Sequence, residues 1–306
     1  MRTTAKNAHM VAIVTMFFIF AMIAFVTNMA APFGTIWGYR YEWAGMMGNM
    51  MNFAAYFFMG IPAGRMLTTV GYKRTALIAL AIGFAGLLVQ YLSSVVGTDT
   101  LLFSFAGQAV GLNLIIYLLG AFICGFCVCM LNTVVNPMLN ILGGGGNKGN
   151  QLVQTGGSLN SLTGTLTPLL VGMLVGTVTT QTSMRDVAPL LFIGMAVFAI
   201  AFIIISFVKI PEPALRRGKN TRYAHSAWHF RHFVLGAIAI FFYVGLEIGI
   251  PNEMLFYINS LGFEGSAAIA GFLAATYWFL MLIGRSLSSI ISSRVSTRTQ
   301  MIPYRL

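Results

Sequence analysis

The sequence predicts an all-α membrane protein built from two related helical halves, and three observations lead there. Hydrophobic residues make up 58% of the 306-residue chain and charged residues only 8%, where a soluble domain carries about a quarter. The apolar residues fall in long uncharged runs, the first from Met10 to Phe33. Lysine and arginine are sorted almost entirely to one side of those runs. A helix rises ~1.5 Å per residue, so a run of this length crosses a ~30 Å hydrocarbon layer. Lipid offers no partner to backbone N–H and C=O, which leaves helices or a closed barrel. Long apolar runs without period-two alternation exclude the barrel.

Eight spans follow in order, at roughly Met10–Phe33, Ala44–Ala63, Thr75–Ser94, Leu112–Asn140, Leu152–Gly176, Val187–Val208, Phe233–Asn252 and Gly265–Gly284. Connections are short except for Lys209–His232, a polar, basic linker. The division is therefore residues 1–208 as a six-helix bundle, 209–232 as a cytoplasmic linker, and 233–306 as two helices of an incomplete second bundle.

The first run follows Arg2 and Lys6 but is too long for a signal h-region and lacks a clear cleavage site, so it is a retained span. Assigning loops to alternating sides puts sixteen Lys and Arg on one side, and only Arg40 and Arg185 on the other. That bias makes both termini cytoplasmic. The net charge of +11 then marks orientation and anionic headgroups, and nucleic acid is not expected as a partner.

The chain also repeats itself. Asn28-x-x-x-Pro32 in the first span matches Glu247-x-x-x-Pro251 in the seventh at an offset of 219. Gly64-Arg65-Met66-Leu67-Thr68-Thr69-Val70 matches Gly284-Arg285-Ser286-Leu287-Ser288-Ser289-Ile290 at an offset of 220. Two matches at equivalent topological places imply parallel six-helix halves, so a complete protein would have about twelve spans. The tail Met301–Leu306 shows no design of a terminus, and a truncated or frame-shifted product is expected.

Polar residues inside the spans are the functional candidates. The fourth span puts Asn132, Asn136 and Asn140 on one helical face, the second Asn49, Asn52 and Tyr56, and the fifth Gln154, Ser158, Ser161 and Thr165, with Asn160 alongside. Carboxamides donate and accept hydrogen bonds without charge. Around an aqueous cavity, such stripes suit a neutral, hydroxyl-rich solute such as a sugar. The competing explanation is interhelical hydrogen bonding, worth about 0.6–2 kcal/mol per contact. Asn132 and Asn136 adjoin Pro137, whose ring frees a backbone carbonyl. Glu247 is the only acid within a span. A carboxylate there costs on the order of 3 kcal/mol or more, so it is either a coupling site for a proton or Na⁺, or a structural acid bonded to a neighbouring helix.

Other features carry less. Cys124-x-x-Cys127-x-Cys129 lacks a histidine or acid in its span, and small thiols in helix packing explain it. Gly143–Gly149 is glycine-rich, but no Gly-Lys-Ser/Thr follows and no strand precedes it. Gly172-x-x-x-Gly176 is a close-packing motif that needs no dimer, and a monomer is expected. His225, His229 and His232 form an interfacial cluster. No cofactor or metal is expected, and an enzyme would need a cluster of His, Asp or Glu at membrane depth that the sequence lacks.

The loop from Gly64 to Arg74, with Arg65, Gly71, Lys73 and Arg74, resembles the major facilitator signature of Gly, three residues, Asp-Arg, one residue, Gly-Arg-Lys. Gly64, Gly71 and Lys73 match, while Thr68 stands at the acid position. Ile61-Pro62-Ala63-Gly64, Leu131-Asn132-Thr133-Val134-Val135-Asn136-Pro137, Asn160-Ser161 and Tyr243-Val244-Gly245-Leu246-Glu247 together resemble the fucose–galactose–glucose:proton symporter branch of that superfamily, from about Thr15 to Arg294.

The resemblance implies a major facilitator bundle working by alternating access as a sugar importer of the bacterial inner membrane. The polar stripes, with Asn28, make Asn28, Asn49, Asn52, Asn132, Asn136, Gln154 and Asn160 the expected substrate site, the Gly64–Arg74 loop is expected to latch helices, and proton-coupled import is expected. The branch's fucose-specific member has acids at two positions that are Asn28 in the first span and Asn132 in the fourth here. Glu247 is then the remaining candidate for the proton. The rival to a transporter is a non-transporting membrane fragment.

Overall fold

The structure, a computed structural model, describes residues 2–98, 100–175, 180–210, 212, 226–263, 265–292, 294–295 and 299. The tail from 300 and most of the linker, with Arg216, Arg217, Lys219, Arg222 and His225, lie outside the described residues.

Eight long helices form: α1 (Arg2–Arg40), α2 (Met47–Thr69), α3 (Tyr72–Leu92), α4 (Leu112–Leu142), α5 (Gly146–Val175), α6 (Ala188–Phe207), α7 (Arg231–Ser260) and α8 (Ser266–Ser292). Each overlaps one expected span, and all but α6 extend beyond it at one end or both. Among the described residues, six are long and apolar enough to cross a membrane. The other two are α2 and α5, whose amides, hydroxyls and glycines lower their hydropathy. Pro32, Pro62, Pro137 and Pro251 sit inside helices, as spans tolerate when neighbouring groups satisfy the freed carbonyl.

Turn chemistry sets where the helices stop. Gly71, at φ 98°, separates α2 from α3. Gly144, Gly145 and Gly146 at φ 79°, 72° and 56° reverse the chain between α4 and α5, and the Gly145 N–H bonds the Asn140 carbonyl at 2.9 Å. The glycine-rich segment is thus a helix-to-helix turn, where φ > 0 favours residues without Cβ.

The core lies in the first six helices around α4, which packs on α1, α2, α3 and α5. Trp37, Phe33, Tyr117, Phe198 and Met16 are fully buried there. Small residues bring α3 and α4 together: a Cβ on Gly120 would lie 2.7 Å from the Gln90 backbone nitrogen, and one on Gly86 2.8 Å from that of Cys124. Cys124, Cys127 and Cys129 are buried in the same packing.

Gly120→Ala should therefore cost stability on the scale of overpacking, about 1–3 kcal/mol. Gly60→Ala, which meets nothing within 4 Å, should gain a few tenths from helix propensity. Thermal unfolding of the two purified variants checks the contrast.

The sequence left the connection between α3 and α4 without structure. It forms an antiparallel hairpin of β1 (Leu101–Phe105) and β2 (Gln108–Gly111), pairing Phe103 with Val110 and Phe105 with Gln108. The second half is slighter. α7 packs on α8, α8 packs on α5, and α7 is exposed along most of its length.

Candidate functional site

The amides of α4 meet a phenol from α2. Asn132 Nδ2 donates to Tyr56 Oη at 2.9 Å. One turn on, Asn136 Nδ2 donates to the backbone carbonyl of Asn132 at 3.0 Å. Pro137 supplies no N–H to the Thr133 carbonyl, which keeps an acceptor near the pair. Asn140 lies at the helix end, against Asn150 of α5 at 3.5 Å. On α1, Asn28 Nδ2 donates to the Ala24 carbonyl at 2.8 Å. The same amide packs on α5, since a Cβ at Gly164 would sit 3.2 Å from it.

Helical spacing places Asn160 between Gly156, which meets Phe20 and Leu139, and Gly164, which meets Asn28. That row of α5 faces α1 and α4. Asn28, Tyr56, Asn132, Asn136 and Asn160 are all half-buried. Each carboxamide that bonds its own helix still has a second N–H and carbonyl lone pairs to offer.

Asn52 is set apart from this group. It is 5% exposed and its Oδ1 has no protein partner. It lines a small, partly open cavity of about 20 Å³ with Gln90, Tyr117 and Cys124. That volume holds one water and excludes a sugar. Asn49 is half-buried one turn away.

The stripe along α5 divides. Thr155 Oγ1 and Ser289 Oγ of α8 are 2.7 Å apart, and Ser289 Oγ also donates to the Gln151 carbonyl at 3.3 Å. Ser161 accepts from Arg285 Nη1 at 3.1 Å, and the Gly157 carbonyl accepts from the same nitrogen at 3.2 Å. Gln154 and Ser158 stand next to this seam, half-buried, with Ser158 Oγ bonded to the Gln154 carbonyl at 3.0 Å.

Glu247 has a partner that sequence reasoning missed. Arg285 Nη2 lies 2.5 Å from Glu247 Oε1, with side-chain exposures of 19% and 11%. The same nitrogen donates to Tyr243 Oη at 3.1 Å. One guanidinium thus binds an acid and a phenol of α7 and a carbonyl and a hydroxyl of α5, in the forked geometry that suits arginine. Arg285 counts as a cytoplasmic loop charge when the eighth span ends at Gly284. α8 instead runs to Ser292, placing Arg285 about 10 Å inside the helix end. The signal available in the sequence was the acid itself, because a carboxylate in a span requires a counter-charge.

The α2–α3 loop shows a second missed residue. Glu212, just after α6, accepts from the backbone N–H of Tyr72 at 2.8 Å and of Lys73 at 2.9 Å. Its carboxylate lies where a Cβ on Gly71 would be, 2.9 Å away. Lys73 Nζ donates to the Ser206 and Val208 carbonyls at 2.8 and 2.9 Å. An acid caps the start of α3 and an ammonium the end of α6, both favoured by the helix dipoles.

A carboxylate therefore reaches the loop from α6, although Thr68 occupies the acid position. Thr68 and Thr69 bond the Arg65 carbonyl, each at 2.9 Å. Gly64 meets nothing within 4 Å, and Arg65 and Arg74 are exposed. Glu212→Ala should cost about 1 kcal/mol, as other helix-cap losses do. Hydrogen exchange at Tyr72 and Lys73 checks it locally.

Among the described residues, eight long helices, six of them long and apolar enough to cross a membrane, make this a multi-pass membrane protein. No family model matches the chain. A glucose/galactose transporter of Brucella abortus is 28% identical over 80% of this chain and 57% of its own length. A putative glucose/galactose transporter of Helicobacter pylori is 26% identical over 97% of the chain and 70% of its own. The chain thus spans little more than half of the Brucella relative.

Among solved structures, the E. coli fucose:proton symporter matches with a TM-score of 0.76 at 17% identity, over 97% of this chain and 74% of that one. The same symporter in an outward conformation matches with a TM-score of 0.73 at 18% identity, over 96% and 73%. The chain has the major facilitator fold, and its resemblance to the fucose–galactose–glucose:proton symporter branch holds in sequence and structure.

Proposed function

We propose that the chain belongs to a transporter that moves a neutral sugar across the bacterial inner membrane by alternating access, with both termini in the cytoplasm. The observations that carry this reading are the uncharged hydrogen-bonding groups on facing helices: the Asn132–Tyr56 pair between α4 and α2, Asn136 one turn on, and Asn28 against α5. Hydroxyls of a hexose both donate and accept, and carboxamides and a phenol answer both needs without the desolvation cost of a charge. The names of the curated relatives support the same solute class.

Glu247 carries the coupling proton in this reading. Its pairing with Arg285 supplies a reason for protonation to matter: a neutral acid leaves the guanidinium without its counter-charge. The bonds from Arg285 and Ser289 to α5 hold the halves together near the basic ends of the helices, and passage of solute to that side requires them to yield.

A thermal-stability screen of the purified protein tests the solute class. Neutral hexoses should raise the melting temperature saturably, by the equivalent of about 2.7 kcal/mol at a hundredfold excess over Kd. Stabilisation by charged solutes alone would contradict the reading.

A further inference from the structure

The hairpin between α3 and α4 is unlike an aqueous loop. From Thr100 to Gly111 it has no charged residue. All five side chains of β1 are exposed, with Leu101 at 62%, Leu102 and Phe103 at 50% and Phe105 at 54%. Its base is nevertheless held firmly. The Gly111 N–H donates to Tyr41 Oη at 3.0 Å, the Leu112 N–H bonds the Thr100 carbonyl at 2.8 Å, and Val110 is fully buried. Phe105 packs edge-on against Trp43 with ring centroids 4.9 Å apart. Ala106 and Gly107, both at positive φ, close the two-residue turn that matches strand twist.

Position names the occupant of this apolar surface. The hairpin joins the ends of two spans, and its Phe105 packs on the half-buried Trp43 in the turn after α1. Tryptophan and tyrosine gather where a bilayer meets water. The outer edges of a two-stranded ladder have unpaired N–H and C=O groups, which the hydrocarbon cannot satisfy. The headgroup–acyl boundary can, and it also accepts leucine and phenylalanine. The hairpin has no lysine or arginine to seek anionic lipid.

We infer that Leu101, Leu102, Phe103 and Phe105 seat the hairpin in the headgroup–acyl boundary of the leaflet around the adjoining ends of α3 and α4, anchoring them by apolar partition rather than by charge.

A polarity-sensitive fluorophore on Phe103→Cys tests this in phosphatidylcholine vesicles, since the native cysteines are buried. Expected are a blue-shifted emission, stronger quenching by shallow spin-labelled lipid than by aqueous iodide, and no change with added salt or anionic lipid. Water-like emission with strong iodide quenching would overturn the inference. So would a blue shift that reverses on adding glucose, which would mark a lid over the solute path, or one that scales with protein-to-lipid ratio, which would mark contact between copies. Leu102→Cys carries the same label should the first variant fail to fold.

Discussion

Glu247→Gln is expected to abolish uphill, pH-driven uptake of sugar into proteoliposomes while leaving sugar exchange intact. The amide keeps the shape of the side chain and its contact with Arg285 but neither binds nor releases a proton. Unchanged pH-driven accumulation would refute the coupling role. The partner gives a second, purely structural expectation. Arg285→Met leaves the Glu247 carboxylate without its counter-charge in a site 11% exposed, a loss of about 3 kcal/mol, at the low end for a broken buried pair because some water reaches it. Arg285→Met combined with Glu247→Gln should recover most of that stability, since no charge is then stranded. Equal instability of the single and double variants would show that Arg285 acts through its bonds to α5 alone.

The second large effect concerns the amide site. Tyr56→Phe and Asn132→Leu should each weaken sugar binding about ten- to hundredfold, because a solute hydroxyl that reaches the site loses its partner after leaving water. Each single change also leaves the other partner unpaired and should cost about 1–3 kcal/mol of stability, while the double variant Tyr56→Phe with Asn132→Leu should lose little. Interhelical bonding alone predicts the same stability losses with unchanged affinity. Isothermal titration beside thermal unfolding separates the two.

Most of the helical framework was legible in the sequence because lipid forces a simple rule, by which long uncharged runs become helices. Even α2 and α5, which fall short of a spanning hydropathy, stood among the eight expected spans. What escaped notice depends on side chains meeting across distance. Arg285 and Arg65 occupy matching places in the repeat, yet Arg65 is exposed while Arg285 turns inward to Glu247. Glu212 reaches a loop 139 residues earlier in the chain, and nothing local marks it as a cap.

The hairpin was missed because Leu101-Leu102-Phe103-Ser104-Phe105 does not alternate, being exposed on both faces. Of the amides, helical spacing alone grouped Asn132 with Asn136, but it also grouped Asn52 with Tyr56. Only packing sets Asn52 at a small cavity and Asn132 in a bond with Tyr56.

The most direct test of the account is protection of an engineered thiol at the site. Asn136→Cys, with the native cysteines buried, should react with a membrane-impermeant maleimide, and a neutral hexose should slow that reaction saturably. Labelling only by a lipid-soluble reagent, or protection by charged solutes and by no neutral sugar, would contradict a watery sugar site between the halves.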